Sequence, residues 1–231
     1  MLPYARGMQG MEVMSKAAFV TIGQTPRADL VPEIREWLGA GVDIEEFGAL
    51  DGLDRQAISR LAPQVGDHRL VTRLADGSEA VVAKGPIHER LQTIFDDLTG
   101  REFCCTVLLC TGHFKPFRTH GLFLEAQSIV DQSVTAIAAH ARRIGLMLPL
   151  GEQIEEFHFH PIGGQTVKAS YASPYTPGRL ECAAHELADT DLILMHCIGY
   201  TESMRRTVRA ASGRPVLLAR RLVAAAVAQL V

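Results

Sequence analysis

Short, strongly apolar runs alternate along the chain with longer amphipathic stretches, the pattern of buried strands separated by helices. The first run, Ala17 to Gly23 (AAFVTIG), stops at glycine and reads as a buried strand. Pro26 in Gln24-Thr-Pro-Arg27 suits the first turn of a helix reaching Gly39, with Ile34, Trp37 and Leu38 on its apolar side. Residues 42–50 follow as a strand and its loop, and a helix over 54–61 ends at Pro63. Leu70–Leu74 and Glu79–Ala83 flank Ala75-Asp-Gly-Ser78, an Asp-Gly hairpin signal between alternating runs. A helix over 87–98 leads to the apolar run Cys104–Cys110. The second half repeats the theme. Helices are expected over 128–142, 178–188 and 201–211, and strands over 143–149, 167–171, 191–197 and 215–219, with a closing helix to Leu230. Such alternation calls for parallel sheets covered by helices.

The chain has 231 residues, 47% apolar and 21% charged, an ordinary globular composition with length enough for a real core. A net charge of −3 without a basic run argues against a nucleic-acid partner. No segment approaches the ~18–20 uncharged residues of a membrane span, and residues 1–16 read as a flexible extension without a secretion signal. Five cysteines, an odd number, fit free thiols in a reducing compartment, so a cytoplasmic location is expected. No Gly-x-Gly-x-x-Gly or Walker pattern follows a strand, and Gly163-Gly164 reads as a turn. His158 and His160 are two apart, with His185 further on, but no third ligand stands at a recognisable metal spacing.

One internal similarity carries chemistry. A shift of 87 residues lays Val107-Leu-Leu-Cys-Thr-Gly-His113 on Leu194-Met-His-Cys-Ile-Gly-Tyr200, two apolar strands that each end in Cys-x-Gly. In an open parallel sheet ligands bind outside the carboxyl ends of the strands, so Cys110 and Cys197 would each stand at a binding site. A nearby helix start would lower the thiol pKa. Two such thiols facing one carbon supply a base and an acid on opposite faces, the requirement for stereoinversion, with no metal or pyridoxal cofactor. The backbone amides after each cysteine, including those of Gly112 and Gly199, could hold a carboxylate or a developing enolate. The competing reading is a cysteine that is a small core hydrophobe, which is kept for Cys104, Cys105 and Cys182.

Several motifs together resemble the AroM family: Thr21-Ile-Gly-Gln-Thr-Pro-Arg27, Phe47-Gly-Ala-Leu-Asp-Gly52, Leu70-Val-Thr-Arg-Leu74, Leu108-Leu-Cys-Thr-Gly112, Met147-Leu-Pro-Leu150, Ala172-Ser-Pro-Tyr175, Cys197-Ile-Gly-Tyr-Thr-Glu202 and Pro215-Val-Leu-Leu-Ala219. They run in order from about residue 17 to residue 231. That family is in turn similar to the aspartate/glutamate racemase superfamily, which includes amino-acid and hydantoin racemases, maleate isomerase and arylmalonate decarboxylase. The resemblance implies two pseudo-symmetric Rossmann-like lobes, with Cys110 and Cys197 opposed across the cleft between them. It places lobe 1 at 17–117 plus 213–231 and lobe 2 at 118–212, and implies a homodimer, although no isolated apolar patch demands one.

The expected reaction is cofactor-independent racemisation or isomerisation of a small carboxylate or carbonyl compound. The alternatives are a decarboxylase or lyase in which one cysteine donates a proton, and a non-catalytic small-molecule binder of the same fold. Thr21, Gly23, Gln24, Arg27, Thr111, Gly112, His113, Gly199, Tyr200 and Thr201 are the expected substrate-binding residues, with Arg27 either a carboxylate clamp or a solvated helix residue. Lys84 is either a cleft cation or ordinary surface. Tyr171, Ser173 and Tyr175 are further candidates for the cleft wall. His113 and Lys115, after the first cysteine, and His196, before the second, depart from the family pattern and leave the pocket charge open. On a strand His196 would point away from Cys197 and pack.

Overall fold

A computed structural model describes residues 15–156 and 164–231. The first four strands are β1 (Ser15–Thr21), β2 (Val42–Gly48), β3 (Arg69–Arg73) and β4 (Glu79–Ala83), followed by β5 (Cys105–Leu108) and β6 (Phe123–Glu125). The second half contributes β7 (Arg143–Leu148), β8 (Thr166–Tyr171), β9 (Leu192–Met195) and β10 (Val216–Leu218). The helices are α1 (Val31–Leu38), α2 (Arg55–Ser59), α3 (Lys84–Asp97), α4 (Ala126–Ile137), α5 (Gln153–Glu156), α6 (Leu180–Glu186), α7 (Glu202–Ser212) and α8 (Ala219–Val227). None is long and apolar enough to cross a membrane.

Two all-parallel sheets form, in the orders β2-β1-β5-β6 and β8-β7-β9-β10. The orders correspond strand for strand, which is the pseudo-symmetry of the molecule. Each sheet turns one face to a shared apolar layer: Ala17 and Phe19, Val107 and Leu109, Leu192 and Leu194 meet there with residues of α1, α4 and α8. The opposite parity faces outward. Ala18, Val20, Leu108 and Cys110 pack with α3 and the hairpin, whereas Met147, Ile193, Met195 and Cys197 pack with residues of α6 and α7. Strands buried on both faces explain the unbroken apolar runs of the sequence.

Sheet membership divides the chain differently from the boundaries given above. β6 lies beyond residue 117 yet completes the first sheet, and β10 lies beyond residue 213 yet pairs in the second. α8 packs on both α1 and α4. Helix α1 starts at Val31, not near Pro26, and Pro32 occupies its first turn. The cause lies upstream: the Asp51 carboxylate accepts from Thr25 N and Thr25 Oγ1, both at 2.7 Å, and Glu46 accepts from Arg27 N at 2.7 Å, which commits those groups to a turn. Helix α4 spans 126–137 rather than 128–142, and the short β6 and α5 carried too few residues to show a period.

The Asp-Gly signal does form a hairpin. β3 and β4 pair antiparallel, with Gly77 at φ 87°, a conformation glycine adopts without strain, closing the turn. This ribbon joins neither large sheet. It reaches across to the second half instead, through Arg69–Glu156 and Ser173–Glu79 contacts and a Gln153 Nε2 to Arg69 O hydrogen bond of 3.1 Å.

Candidate functional site

Cys110 and Cys197 each stand two residues beyond their strand, β5 and β9, at corresponding places in the two sheets. In both turns the amide two residues on donates to the sulfur, Gly112 N to Cys110 Sγ and Gly199 N to Cys197 Sγ, each at 3.4 Å. The two turns meet: Thr111 Oγ1 donates to His196 O at 3.5 Å. Both cysteines line one cavity of about 240 Å³. That is smaller than the roughly 300–1,000 Å³ of sites that take drug-sized ligands, so the cavity suits a small metabolite. Its walls come from both halves: Leu70 and Lys84 beside Cys110, and Leu148, Pro149 and Gln153 towards Cys197.

Burial sets the thiol chemistry. It pushes the Cys110 thiol up to about 12, against the opposing effect of the Gly112 amide, and the neighbouring Cys197 adds to the rise. Cys197 is pushed up to about 11 by burial, moderated by the Gly199 amide and by Arg27 and Arg220. The expected lowering by a helix start does not occur. No regular element lies between β5 and β6 after Cys110, and α7 begins five residues after Cys197 with its amide capped by Thr201.

The expected binding residues separate into three groups. Thr111, Gly112 and His113 line the cavity with Cys110. Thr21, Gly23, Gln24 and Arg27 build the turn behind it. Thr21 Oγ1 accepts from Arg27 Nη1 at 2.7 Å and from Gly23 N at 3.3 Å, while the Gln24 amide ties Leu53 O to Ala75 N. Arg27 is neither solvated nor available as a clamp. It is 3% exposed, its fork is bidentate on Asp29 at 2.8 Å, and its Nη2 also reaches Tyr175 Oη at 3.2 Å. Burial opposes its charge, but the Asp29 hydrogen bonds together with the nearby Tyr175 and the Asp29 charge outweigh that and hold its pKa above the ordinary value. In the third group, Gly199 lies under Tyr175, Tyr200 is wholly buried and donates to Ala172 O at 2.6 Å, and Thr201 caps α7 through Met204 N at 3.2 Å. These three shape the second turn from outside the cavity. The amides of Gly112 and Gly199, expected to hold a carboxylate, are occupied by the sulfurs.

His196 differs from expectation too. Because β9 ends at Met195, the strand alternation lapses, and His196 lines the cavity together with Cys197. Burial, followed by the effect of nearby His113, lowers its pKa to about 3, so its imidazole is neutral. Lys84 also borders the cavity. Among the described residues no group of three His, Cys, Asp or Glu side chains is placed to hold a metal ion. His158 and His160 lie outside the described residues. Cys104, Cys105 and Cys182 are free thiols away from the cavity.

Sequence reasoning missed Arg220. Fully buried at the start of α8, it donates to Ile198 O at 2.9 Å and Gly199 O at 3.0 Å, fixing the second cysteine turn. Its other contacts, Asp29 O at 3.0 Å and Glu33 Oε2 at 2.6 Å, belong to the first half. A signal existed, since an arginine inside the apolar stretch Leu217–Val231 must find partners on burial.

Comparison with known proteins agrees with this architecture. Residues 17–231 match the AroM protein family, and the chain belongs to it. No curated protein matches the sequence. Among solved structures the chain is similar to a maleate cis-trans isomerase of Nocardia farcinica carrying a covalently bound succinylcysteine intermediate, at 10% identity and a TM-score of 0.52 over 93% of this chain and 91% of that one. It is similar to the aspartate racemase of Picrophilus torridus, at 11% identity and a TM-score of 0.53 over 93% of each chain. An unliganded arylmalonate decarboxylase matches at 14% identity and a TM-score of 0.53, over 93% of this chain and 92% of that one. These likenesses show the racemase-type two-lobed α/β fold.

Proposed function

From membership of the AroM family and a paired-cysteine cavity, we propose that this protein is a cofactor-independent enzyme that moves a proton α to a carboxylate or carbonyl of a small molecule. The observation that carries the reading is the pair of equivalent thiols, one from each sheet, on the walls of one small cavity. The thiolate of one cysteine removes the α-proton and becomes a thiol. The thiol of the other delivers its proton to the opposite face of the resulting carbanion and becomes the thiolate. Atoms and charge balance, and inversion leaves the negative charge on the second sulfur. General acid–base groups of this kind contribute about 10²–10⁴-fold each.

Burial raises both thiols, Cys197 to about 11 and Cys110 to about 12, and each serves as the base in one direction of the inversion. Arg27 acts as a fixed positive charge behind both sulfurs, favouring the thiolate of each. The racemases and isomerase of this fold support a racemase or isomerase over other chemistry, and the decarboxylase keeps proton delivery by a single cysteine as the nearest alternative. The proton transfers ask nothing of a metal or organic cofactor.

The test is α-proton exchange in D2O, followed by proton NMR, over a panel of small α-substituted carboxylates and related carbonyl compounds. Exchange or inversion by the wild type, lost by about 10²–10⁴-fold in both Cys110→Ser and Cys197→Ser, is the expected result. Loss in only one variant identifies decarboxylase- or lyase-type proton delivery. Turnover unaffected by both variants overturns the reading.

A further inference from the structure

The groups expected to hold an anionic substrate are occupied. The Arg27 fork is taken by Asp29, with Thr21 on the remaining nitrogen, Nη1, and Tyr175 also on Nη2. The Gly112 and Gly199 amides donate to sulfur. Of the Lys and Arg side chains on the cavity wall, Arg69 is paired with Glu156. Lys84 remains. It stands where β4 passes into α3, and its backbone amide is held by His68 O at 3.0 Å. Its ammonium is half-buried on the cavity wall and has no hydrogen bond or ion pair among the described residues. A half-buried ammonium without a counter-ion is costly in the empty site and gains when an anion arrives. Burial accordingly lowers the Lys84 pKa, while the neighbouring Cys110 opposes the fall.

Apolar surface on the cavity wall comes from Leu70, Leu148 and Pro149, and His196, which also lines it, is neutral. From these observations we infer that Lys84 is the anchor for the substrate's anionic group, and that the substrate is a small monoanion with an apolar remainder against Leu70, Leu148 and Pro149. The inference rests on the thiol-pair reading of the same cavity. It also fixes an orientation, because the anion at Lys84 puts the adjacent carbon on the Cys110 side of the cavity. Lys84 is then a specificity-determining residue that touches substrate.

Two alkylating reagents of similar size and different charge test this: iodoacetate, an anion, and iodoacetamide, which is neutral. The readout is the ratio of their rates at Cys110, mapped by mass spectrometry, with exposed Cys182 as the internal reference. Lys84→Met is expected to lower the Cys110 ratio about tenfold, the effect of losing one charge-assisted hydrogen bond. Lys84→Arg should restore most of it, and the ratio at Cys182 should not move. A structural role for Lys84 would change both rates together and leave the ratio alone. A Cys110 that reacts with an unchanged ratio in Lys84→Met overturns the anchor and leaves the thiol-pair reading standing. The expected ratios without exchange in any small carboxylate would sink the thiol-pair reading and leave the anchor. Inertness of both Cys110 and Cys197 to both reagents means a closed cavity and overturns both.

Discussion

The two cysteine turns share a backbone and differ in what holds it. Each cysteine follows its strand by two residues, accepts the amide two positions on at 3.4 Å, and is 6% exposed. Around Cys197 the turn is clamped, with Arg220 on two of its carbonyls and the Tyr175 ring over Gly199. Around Cys110, among the described residues, no Lys or Arg side chain hydrogen-bonds the turn. Leu70 leans on Gly112 from the hairpin, and the chain runs on to β6 without regular structure. One cysteine turn is fixed from behind by buried charge, and the other is met from the front by apolar groups and the Lys84 ammonium. Duplication has preserved the device that presents the sulfur, while the supports have diverged.

The sharpest way to break the comparison is to remove the clamp. Arg220→Met leaves the partly buried Glu33 carboxylate and three carbonyls without their donor, and should cost about 3–5 kcal/mol of stability in urea denaturation. Cys197 alkylation should change while Cys110 alkylation holds; equal changes at both would mean that the clamp is not particular to the second turn.

The residue before each cysteine is the next difference, Leu109 in the first turn and His196 in the second. His196 is held neutral with a pKa of about 3 against 6.5 in the unfolded chain. The unfolded state therefore binds the proton first, and stability present above pH 6.5 is lost as pH falls towards 3, a cost of order 5 kcal/mol. His196→Leu, which makes the second turn resemble the first, should flatten that acid limb in thermal melts taken across pH 3–7. An unaltered acid limb would contradict the assignment.

The glycines give a smaller contrast. A Cβ at Gly199 would meet Tyr175 Cζ at 2.8 Å and Pro174 Cγ at 3.0 Å, ring atoms held in place. At Gly112 the close neighbour is Leu70 Cδ2 at 2.8 Å, the end of a side chain that can turn. Gly199→Ala should cost about 2–3 kcal/mol and Gly112→Ala about 1 kcal/mol, and equal losses in melting experiments would remove the distinction. Smallest of all is the difference between the thiols themselves. Iodoacetamide rates at both cysteines should climb about tenfold per pH unit without levelling up to about pH 10, because burial raises both thiols. A rate at either cysteine that levels near the free-thiol value of about 8.5 would contradict that rise.

Much of this was legible in the residues because it is written in local pattern. Buried parallel strands announce themselves as short apolar runs, and the Cys-x-Gly repeat fell at equivalent strand ends as its spacing required. What could not be read depends on partners distant in sequence. Arg27 follows a strand, as a substrate clamp would, but Asp29 claims its fork. Helix α1 starts late because residues 25–30 form a turn, held from the next strand and loop by Glu46 on Arg27 N and Asp51 on Thr25 N. The thiols rise in pKa because burial penalises the thiolate, a consequence of tertiary packing that composition does not reveal. Lys84 read more readily as surface than as cleft, and only the folded hairpin places it on the cavity wall.

Arg220 also bears on the order in which the molecule can be assembled as it is synthesised. Its contacts reach back 191 residues to Asp29 and 187 to Glu33, and 22 and 21 to the second cysteine turn. Both sulfurs leave the ribosome well before the side chain that locks one of them, and contacts so distant in sequence are late and slow to close. A nascent chain that has paired β7, β8 and β9 still holds Cys197 in an unsecured loop. The guanidinium that arrives just after β10 joins the two halves and sets that turn, so the second cysteine turn is fixed only in a chain whose synthesis has passed residue 220.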